Sequence, residues 1–319
     1  MIKKSFLLSL VILWITGCNT GSNSDSFRFL ELQTEQRVNP EGIDALKPRF
    51  SWKFQSDMQG VMQTAYQIEV AATEKELQDG TNLLWSTGKV ESDQSLFVVY
   101  DGQPLESGKS YYWKLTVWTN TEGKCQSEIQ HWSMALLNDS DWKAKWIGID
   151  DPENLKIEEN RTILPARYLR KEFEAISKPK RAVLYVSGVG SSVCYLNGQQ
   201  IGNDVFGPLP TWYDASVPYL TYDVTSLLQQ GINALGVALG NGRYLTMREH
   251  GMFGFGLPRL IAQLQVEYEN GESVTIVSDE TWQATNKGPI TKNNEFDGEK
   301  YDARLELGAW SESGYDTST

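Results

Sequence analysis

The sequence contains little histidine and little cysteine. Among its 319 residues are two histidines, His131 and His250, and three cysteines, Cys18, Cys125 and Cys194. The thiols do not have the spacing of a zinc-binding cluster, and so few imidazoles give poor support for a histidine-based triad or metal centre. Because Cys125 and Cys194 fall in what we interpret as different domains, we expect buried free thiols rather than a disulfide.

Positive charge is also scarce. The chain has 29 Lys and Arg residues against 41 Asp and Glu residues, a formal net charge of −12. Nucleic-acid-binding proteins are usually basic, so this balance argues against a nucleic-acid partner. The same negative charge argues against electrostatic binding to an anionic lipid surface, so that any membrane attachment would come from a covalent anchor.

Only one long apolar run is present, and it lies at the N-terminus. Lys3 and Lys4 precede the run Phe6–Ile15, which is too short to span a bilayer comfortably and ends in Ile-Thr-Gly-Cys at Cys18. This pattern predicts a lipoprotein signal peptide over residues 1–18, with Cys18 as the lipid acceptor. A single transmembrane anchor is the alternative. We therefore expect a lipoprotein of the bacterial cell envelope, at the outer membrane, the surface or the periplasmic face.

Aromatic residues, in contrast, are abundant. The chain has 11 Trp and 14 Tyr, set among Gly, Asn and Asp rather than in long apolar runs. Flat rings beside polar groups suit carbohydrate, whose faces are apolar and whose edges carry hydroxyl groups. The alternative for any single Trp is packing in the core of a β-sandwich.

The mature chain has room for two domains, which follow a flexible tether at residues 19–27. Short alternating segments separated by turn clusters predict an immunoglobulin or fibronectin III-like sandwich over residues 28–137. Its longest segment should place its more apolar face in the core: Tyr111, Trp113, Leu115 and Val117. No catalytic residue types cluster in it, which favours a spacer.

The sequence pattern over residues 168–290 predicts a second, jelly-roll-like β-sandwich. A linker at residues 138–167 joins it to the first sandwich. Asn197-Gly198 between apolar runs is a strong hairpin signal. Asp223 or Thr225 can cap a helical turn that runs to Gln230. The strand after it alternates large with small side chains, so one face should pack while the other admits a close neighbour. The predicted fold class is therefore all-β.

One rim of this sandwich carries aromatic and polar residues that suit the binding of a polar ligand. Trp212-Tyr213-Asp214 follows a loop stiffened by Pro208 and Pro210, and the run from Gly240 to Tyr244 predicts a flexible polar loop. Asp297 and Glu299 lie on a strand-like segment, but side chains on one strand cannot flank a sugar bond from two sides. We therefore predict no catalytic residues in this chain.

The order of these motifs resembles the N-terminal half of bacterial α-L-rhamnosidases of glycoside hydrolase family 78. The matching positions in the second sandwich are Asn197, Gly198, Gly202, Asp204, Pro208, Trp212, Tyr213, Tyr219, Tyr222, Asp223, Gly231, Asn233, Gly240, Asn241, Gly242 and Tyr244. The likeness extends over about residues 30–310. One departure is Arg243, where the family usually has Trp.

The resemblance implies hydrolysis of terminal α-L-rhamnosides by an (α/α) barrel that lies further along in the family. No long helical periodicity is present in this sequence, so we do not expect the barrel within it. We expect residues 291–319 to begin the connection to that missing catalytic region, which would be a partner of this chain. The rivals are a stand-alone rhamnose-binding surface lipoprotein and a structural spacer without ligand.

The resemblance also implies a sugar site. The corresponding sandwich in some relatives is a carbohydrate-binding module of family 67, which binds L-rhamnose with help from calcium. The candidate ligands for a rhamnose-containing glycan are Asn197, Asp204, Trp212, Tyr213, Asp214, Asn241 and Arg243. The candidate Ca²⁺ ligands among them are the oxygen-bearing Asp204, Asp214 and Asn241. In the alternative, Asp214 caps a turn and Trp212 lies in the core.

Overall fold

The computed structural model describes residues 27–121, 123–150, 157–158, 161–162, 164–248 and 251–317. The predicted signal peptide with Cys18, nearly all of the tether and His250 lie outside them. The described chain is almost entirely β-structure, which confirms the predicted fold class. No helix in it is long and apolar enough to cross a membrane.

The first domain is a sandwich of two antiparallel sheets. Its elements are β1 (Phe27–Thr34), β2 (Arg49–Ser56), β3 (Gln63–Ala71), α1 (Glu74–Asp79), β4 (Trp85–Ser86), β5 (Val98–Val99), β6 (Ser110–Thr119), β7 (Gly123–Gln126) and β8 (Gln130–Ser133). One sheet has the order β1-β2-β5; the other has the order β4-β3-β6-β7, with β8 also paired to β6. The predicted core face of β6 is confirmed, because all four of its side chains are buried.

The second domain packs a five-stranded sheet against a four-stranded one. Its main strands are β11 (Arg167–Ala175), β12 (Pro179–Val189), β13 (Ser191–Leu196), β14 (Gln199–Ile201), β15 (Leu220–Asp223), β16 (Gly231–Gly240), β19 (Arg259–Tyr268), β20 (Ser273–Val277) and β21 (Gln283–Thr285). The sheet orders are β14-β13-β16-β11-β21 and β15-β12-β19-β20. Their facing side chains form one apolar core, which includes Leu184, Leu196, Val237 and Leu264.

Smaller elements surround this sandwich. Three two-stranded hairpins are β9 (Ile157–Glu158) with β10 (Arg161–Thr162), β17 (Leu245–Arg248) with β18 (Gly251–Gly254), and β22 (Ile290–Asn294) with β23 (Gly298–Tyr301). Single 3-10 turns lie at Asp139–Asp141, Thr225–Leu227 and Ala303–Leu305. Cys125 and Cys194 form no disulfide within the described residues; the second is buried and the first half-buried.

Two local predictions around β16 can be compared directly with the structure. Asn197 and Gly198 have φ of 52° and 80° and form the two-residue turn between β13 and β14, as predicted. The Asp223 carboxylate accepts from Thr225 N–H at 2.8 Å, but the N-cap residue is Val224 and no side chain caps the turn, so the prediction of Asp223 or Thr225 as the cap was wrong. The helical turn ends at Leu227 rather than Gln230, because the side chain of Asn233 binds both N–H and C=O of Gln229.

The first part of the segment interpreted as a linker, residues 138–150, is docked on the second domain. Lys145 N–H donates to Ser278 C=O at 2.7 Å, and Ile147 pairs with Leu260 through two backbone hydrogen bonds. Trp142 packs edge-on against Tyr219, with ring centroids 5.2 Å apart. These contacts extend the four-stranded sheet rather than leave a free hinge.

The last described residues also pack on the second domain. The ring of Trp310 meets Tyr168 and Tyr195 edge-on, at centroid distances of 5.2 and 5.6 Å. The buried guanidinium of Arg170 donates to the C=O groups of Trp310 and Glu312 at 2.8 and 2.9 Å. Residues 303–317 therefore form a strap over the outer face of the five-stranded sheet.

Candidate functional site

Three segments meet at one rim of the second domain: loop 202–214, loop 240–244 and the β22–β23 hairpin. The backbone of Gly242 crosses that of Gly190 so closely that a Cβ on Gly242 would lie 2.6 Å from the carbonyl of Gly190. This backbone crossing forms the base of the space between loop 202–214 and loop 240–244. Above it lies a groove of about 380 Å³, which we call the rim groove, lined by Ser191, Phe206, Leu209, Arg243, Glu295 and Phe296.

A smaller cavity of about 250 Å³ continues from the rim groove along β22. The two share Ser191, Phe206 and Glu295, and the smaller one also reaches Asn293. The Nδ2 atom of Asn293 is buried and has no hydrogen-bond partner among the described residues. A buried amide donor without a partner favours binding of a polar ligand at this position.

A cluster of four aromatic rings stands beside the rim groove. Tyr213 meets Tyr244 and Phe255 edge-on at 5.1 and 5.0 Å, and Phe255 stacks on Tyr244 at 6.0 Å. Trp212 meets Phe255 edge-on at 6.2 Å, yet 69% of its surface is exposed. Trp212 is therefore not a core residue; it rests edge-on against Phe255 and is open to solvent.

Charge is paired across the rim groove. The guanidinium Nε of Arg243 donates to Glu295 Oε1 at 2.6 Å, with just over half of the Arg243 side chain exposed. Burial raises the pKa of the Tyr213 hydroxyl, and the carboxylate of Glu295 raises it further. Tyr213 therefore stays neutral and can donate or accept a hydrogen bond near neutral pH.

Asn241 does not lie in a flexible loop. It is only 3% exposed; its Oδ1 accepts from Arg167 at 2.7 Å, and its Nδ2 donates to the C=O groups of Leu164 and Asn293 at 2.9 and 2.8 Å. The prediction of a flexible, polar loop was wrong because these distant partners enclose the residue. As placed, Asn241 has no unbonded side-chain polar atom to offer a ligand.

The side-chain polar atoms of Asn197 are also fully hydrogen-bonded within the protein, at a different place in the fold. Its Nδ2 donates to Asn233 Oδ1 and Leu227 C=O at 2.8 and 3.1 Å, and its Oδ1 accepts from Ala234 N–H at 2.9 Å. These bonds tie the β13–β14 turn to β16. Both asparagines therefore hold the fold together, whereas the resemblance implied that they are sugar ligands.

Asp204 and Asp214 lie on the exposed loop of the rim. The Asp204 carboxylate accepts from the Tyr222 hydroxyl at 2.7 Å, and burial followed by this bond raises the pKa of Tyr222. The carboxylate of Asp214 is exposed. These two remain candidates for contact with a ligand on this side of the groove.

Of the three residues predicted as calcium ligands, Asn241 does not fit a cation site. The side-chain oxygen of Asn241 lies 2.7 Å from the guanidinium of Arg167, and a cation there would meet a fixed positive charge. Among the residues that the structure describes, no group of three or more His, Cys, Asp or Glu could hold a metal ion.

The acidic residues of the β22–β23 hairpin serve local structure. Asp297 lies in the turn, where its carboxylate accepts from Asn294 Nδ2 at 2.9 Å and its N–H donates to Asn294 Oδ1 at 2.7 Å. Asp302 accepts from the guanidinium of Arg304. Glu299 stands on the neighbouring strand beside the smaller cavity. The prediction of no catalytic residues remains a prediction.

Sequence reasoning missed several residues of the rim. Phe206 and Leu209 are 66% and 71% exposed on a loop rich in Gly and Pro. The signal was present, because large apolar residues in such a loop cannot reach a core. Phe255 and Glu295 carried no comparable signal, since nothing local to them indicates that they approach Tyr213 and Arg243.

Two family models match the chain in order. Residues 29–138 match the Rha78A-like N-terminal immunoglobulin domain, and residues 177–319 match the α-L-rhamnosidase N-terminal domain. An α-L-rhamnosidase of Formosa agariphila is 34% identical over 98% of this chain and 34% of its own length. One of Alteromonas sp. (strain LOR) is 32% identical over 100% of this chain and 35% of its own length.

Solved structures agree with these relatives. The α-L-rhamnosidase from Dictyoglumus thermophilum matches with a TM-score of 0.80 at 38% identity, over 91% of this chain and 33% of that one. The Streptomyces avermitilis enzyme complexed with L-rhamnose has the same fold, with a TM-score of 0.81 at 23% identity over 92% and 44% of the two chains. This chain thus spans about a third of the length of the curated relatives. In fold and sequence the chain therefore resembles the N-terminal portion of the α-L-rhamnosidases of glycoside hydrolase family 78, over the two domains that the family models match.

Proposed function

We propose that the rim groove, with Trp212 beside it, binds an L-rhamnose residue of a glycan. The exposed ring of Trp212 carries the proposal, because it meets Phe255 edge-on and presents a flat apolar surface on the same loop that supplies Phe206 and Leu209 to the rim groove. Such exposed patches beside polar groups mark ligand sites. The known relatives are named α-L-rhamnosidases, and one was solved with L-rhamnose.

The chemistry of the groove suits a 6-deoxy sugar. The methyl group of such a sugar would lie against the apolar side chains of Phe206, Leu209 and Phe296, which form much of the wall. Its hydroxyl groups would reach Arg243, Glu295 and the unpartnered amide of Asn293. A site that combines apolar walls with a few fixed polar groups gains specificity from both.

In this proposal, the chain contributes binding and positioning to the hydrolysis of terminal α-L-rhamnosides. The chemical step belongs to the two thirds of the relatives' length that this chain does not span. Acylation of Cys18 would hold the assembly at the cell envelope. A lipid anchor and a sugar site on one chain would together keep a glycan near the membrane.

Calorimetric titration of L-rhamnose into the chain, with Cys18→Ser to prevent acylation, tests the proposal. We expect saturable binding that Trp212→Ala weakens at least tenfold. Trp146→Ala is the matched control, because Trp146 is also exposed, at 46%, but lies away from the rim groove. Repeating the titration with chelator tests the calcium dependence that the resemblance implied. A folded protein that releases no heat would leave this domain as a spacer and refute the proposal.

A further inference from the structure

A second concave surface lies between the two domains, and it shares no lining residue with the rim groove. Its volume is about 760 Å³, within the range of small-molecule sites, which often occur between domains. We call it the interdomain cleft. The first domain contributes Glu41, Tyr112 and His131, and the second contributes Arg181, Asp223 and Glu267.

Close contacts join the two domains that form the interdomain cleft. The Tyr219 hydroxyl accepts from Leu136 N–H at 2.9 Å and donates to Leu136 C=O at 3.1 Å, so both backbone groups of one residue cross the domain boundary. Trp142 packs edge-on against the Tyr219 ring. Gly42 also fits so closely against Thr221 that an added Cβ would lie 2.3 Å from the threonine hydroxyl. A preformed cleft of this kind pays little ordering entropy on binding.

Two adjacent rings and an unsatisfied donor line the cleft. Tyr112 and His131 are half-buried, with ring centroids 6.3 Å apart. The Tyr112 hydroxyl forms no hydrogen bond with the described residues, while Arg181 Nη1 donates to Gly108 C=O at 3.3 Å. Arg181 Nη2 is buried without a hydrogen-bond partner; the Glu41 carboxylate lies 3.5 Å away, and the Tyr185 hydroxyl also lies beside this guanidinium. An acceptor on a ligand would satisfy this guanidinium nitrogen.

The charges around the interdomain cleft select the class of ligand. Its carboxylates are Glu41, Glu74, Glu106, Asp223 and Glu267, and its cations are Lys109, Lys180 and Arg181. The excess of carboxylates opposes an anion, and the guanidinium at the wall opposes a cation. Carboxylates that accept, cations that donate and half-exposed rings together match a neutral ligand rich in hydroxyl groups.

We propose that the interdomain cleft is a second carbohydrate-binding site, specific for neutral oligosaccharides and independent of the rim groove. In it a sugar ring packs against Tyr112 and His131, while a hydroxyl oxygen accepts from Arg181 Nη2. A glycan held here and at the rim would contact the chain at two separate places. Such bivalence raises the overall affinity above that of either site alone.

The test uses Trp212→Ala as the background, so that failure at the rim does not hide the cleft. Titrations and saturation-transfer NMR with L-rhamnotriose, xylohexaose and maltohexaose should show that at least one of them binds. We expect Tyr112→Ala to weaken that binding at least tenfold. Tyr112→Phe, which keeps the ring and loses only the hydroxyl, should weaken it two- to fivefold. Thermal unfolding of each variant reports whether it is folded.

Three results would overturn the proposal. The first is absence of binding by all three probes to folded Trp212→Ala. The second is binding that folded Tyr112→Ala leaves unchanged. The third is tighter binding of a trigalacturonate probe than of the neutral ones, which would show an anion site. If L-rhamnose fails at the rim while a neutral oligosaccharide still binds in the cleft, only the proposed function fails.

Discussion

The indole of Trp310 lies on Gly236, where a Cβ would come within 2.8 Å of an indole carbon. Gly236 is in the middle of β16, and the ring covers it from the outer face of the five-stranded sheet. The contact closes the strap of residues 303–317 over the sheet. It explains why a glycine, which weakens a strand, occupies a central position in this one.

Replacing Gly236 by alanine should destabilise the second domain. The added methyl group must displace the ring of Trp310 or the Cβ of Ser311, which lies 2.9 Å from its position. We expect the free energy of unfolding to fall by about 1–3 kcal/mol, as for other overpacked sites. Urea unfolding followed by tryptophan fluorescence measures this change.

A double-mutant cycle supplies the control for Gly236→Ala. In a Trp310→Ala background the methyl group has room, so its cost should largely disappear. An equal cost in both backgrounds would show that the strap does not press on Gly236.

Much of the second domain's local structure could be predicted from local sequence. Asn197-Gly198 fixed a turn, and the small side chains of β16 correctly indicated a close neighbour. Which neighbour approaches could not be predicted, because Trp310 lies 74 residues further along and is followed by no periodic pattern. Residues 291–319 were interpreted as the start of a connection because the resemblance places the catalytic barrel after them; in the structure, Trp310 and its neighbours pack on the sandwich.

One hydroxyl group, that of Tyr219, forms two hydrogen bonds across the boundary between the two domains. Tyr219→Phe keeps the ring beside Trp142 and removes both hydrogen bonds to Leu136. The backbone groups of Leu136 then lose their partner at a buried boundary, which should cost about 1–3 kcal/mol of unfolding free energy. Urea unfolding, read separately for the two domains by hydrogen exchange, measures the loss.

Tyr222→Phe is the matched control for Tyr219→Phe. Its hydroxyl donates only to the exposed carboxylate of Asp204, within one domain. We expect a smaller loss, about 0.5–1.5 kcal/mol, and no change in the first domain. Equal effects from the two variants would contradict a special role for Tyr219 at the boundary.

The stability of the first domain should depend on pH through Glu35. Its carboxylate accepts from Arg49 Nη2 at 2.6 Å and from Arg49 N–H at 2.7 Å, and the guanidinium lowers the pKa of Glu35 below its ordinary value of 4.5. A lowered folded-state pKa gives stability that is present above pH 4.5 and is lost as the pH falls through the folded value. Glu35→Gln should therefore cost most at neutral pH and least in acid.

Urea midpoints measured from pH 7 downward test this pH dependence. The control is Glu91→Gln, because Glu91 pairs with Lys89 at 2.6 Å but both side chains are well exposed. Exposed pairs contribute little, so this variant should unfold like the parent throughout. A constant difference between Glu35→Gln and the parent across the pH range would contradict the assignment.

The rim shows what sequence reasoning could and could not predict about the candidate site. The motif Trp212-Tyr213 was correctly placed at a rim, because a loop with two prolines cannot join a sheet. The role of Asn241 was not accessible, since its partners Leu164 and Asn293 lie 77 and 52 residues away. The local sequence of a polar residue between two glycines is the same whether its side chain faces solvent or a buried guanidinium.

The variant Asn241→Ala distinguishes a structural role of Asn241 below the rim groove from direct contact with the ligand. If Asn241 positions the rim groove, the variant leaves the buried Arg167 guanidinium with the longer bond to Pro165 C=O, at 3.3 Å, and removes the side-chain donor to Leu164 C=O and Asn293 C=O. Burial lowers the pKa of Arg167 to about 10, which still leaves it charged near neutral pH. We expect a loss of about 3 kcal/mol in unfolding free energy, measured with urea.

Arg243→Ala is the comparison, because its ion pair with Glu295 is partly exposed and should contribute less than about 1 kcal/mol. L-rhamnose titrations on both variants complete the test. A stable Asn241→Ala that no longer binds sugar would show that Asn241 contacts the ligand, as the resemblance first implied. A destabilised variant that still binds, at a temperature where it is folded, would assign Asn241 to the scaffold under the groove.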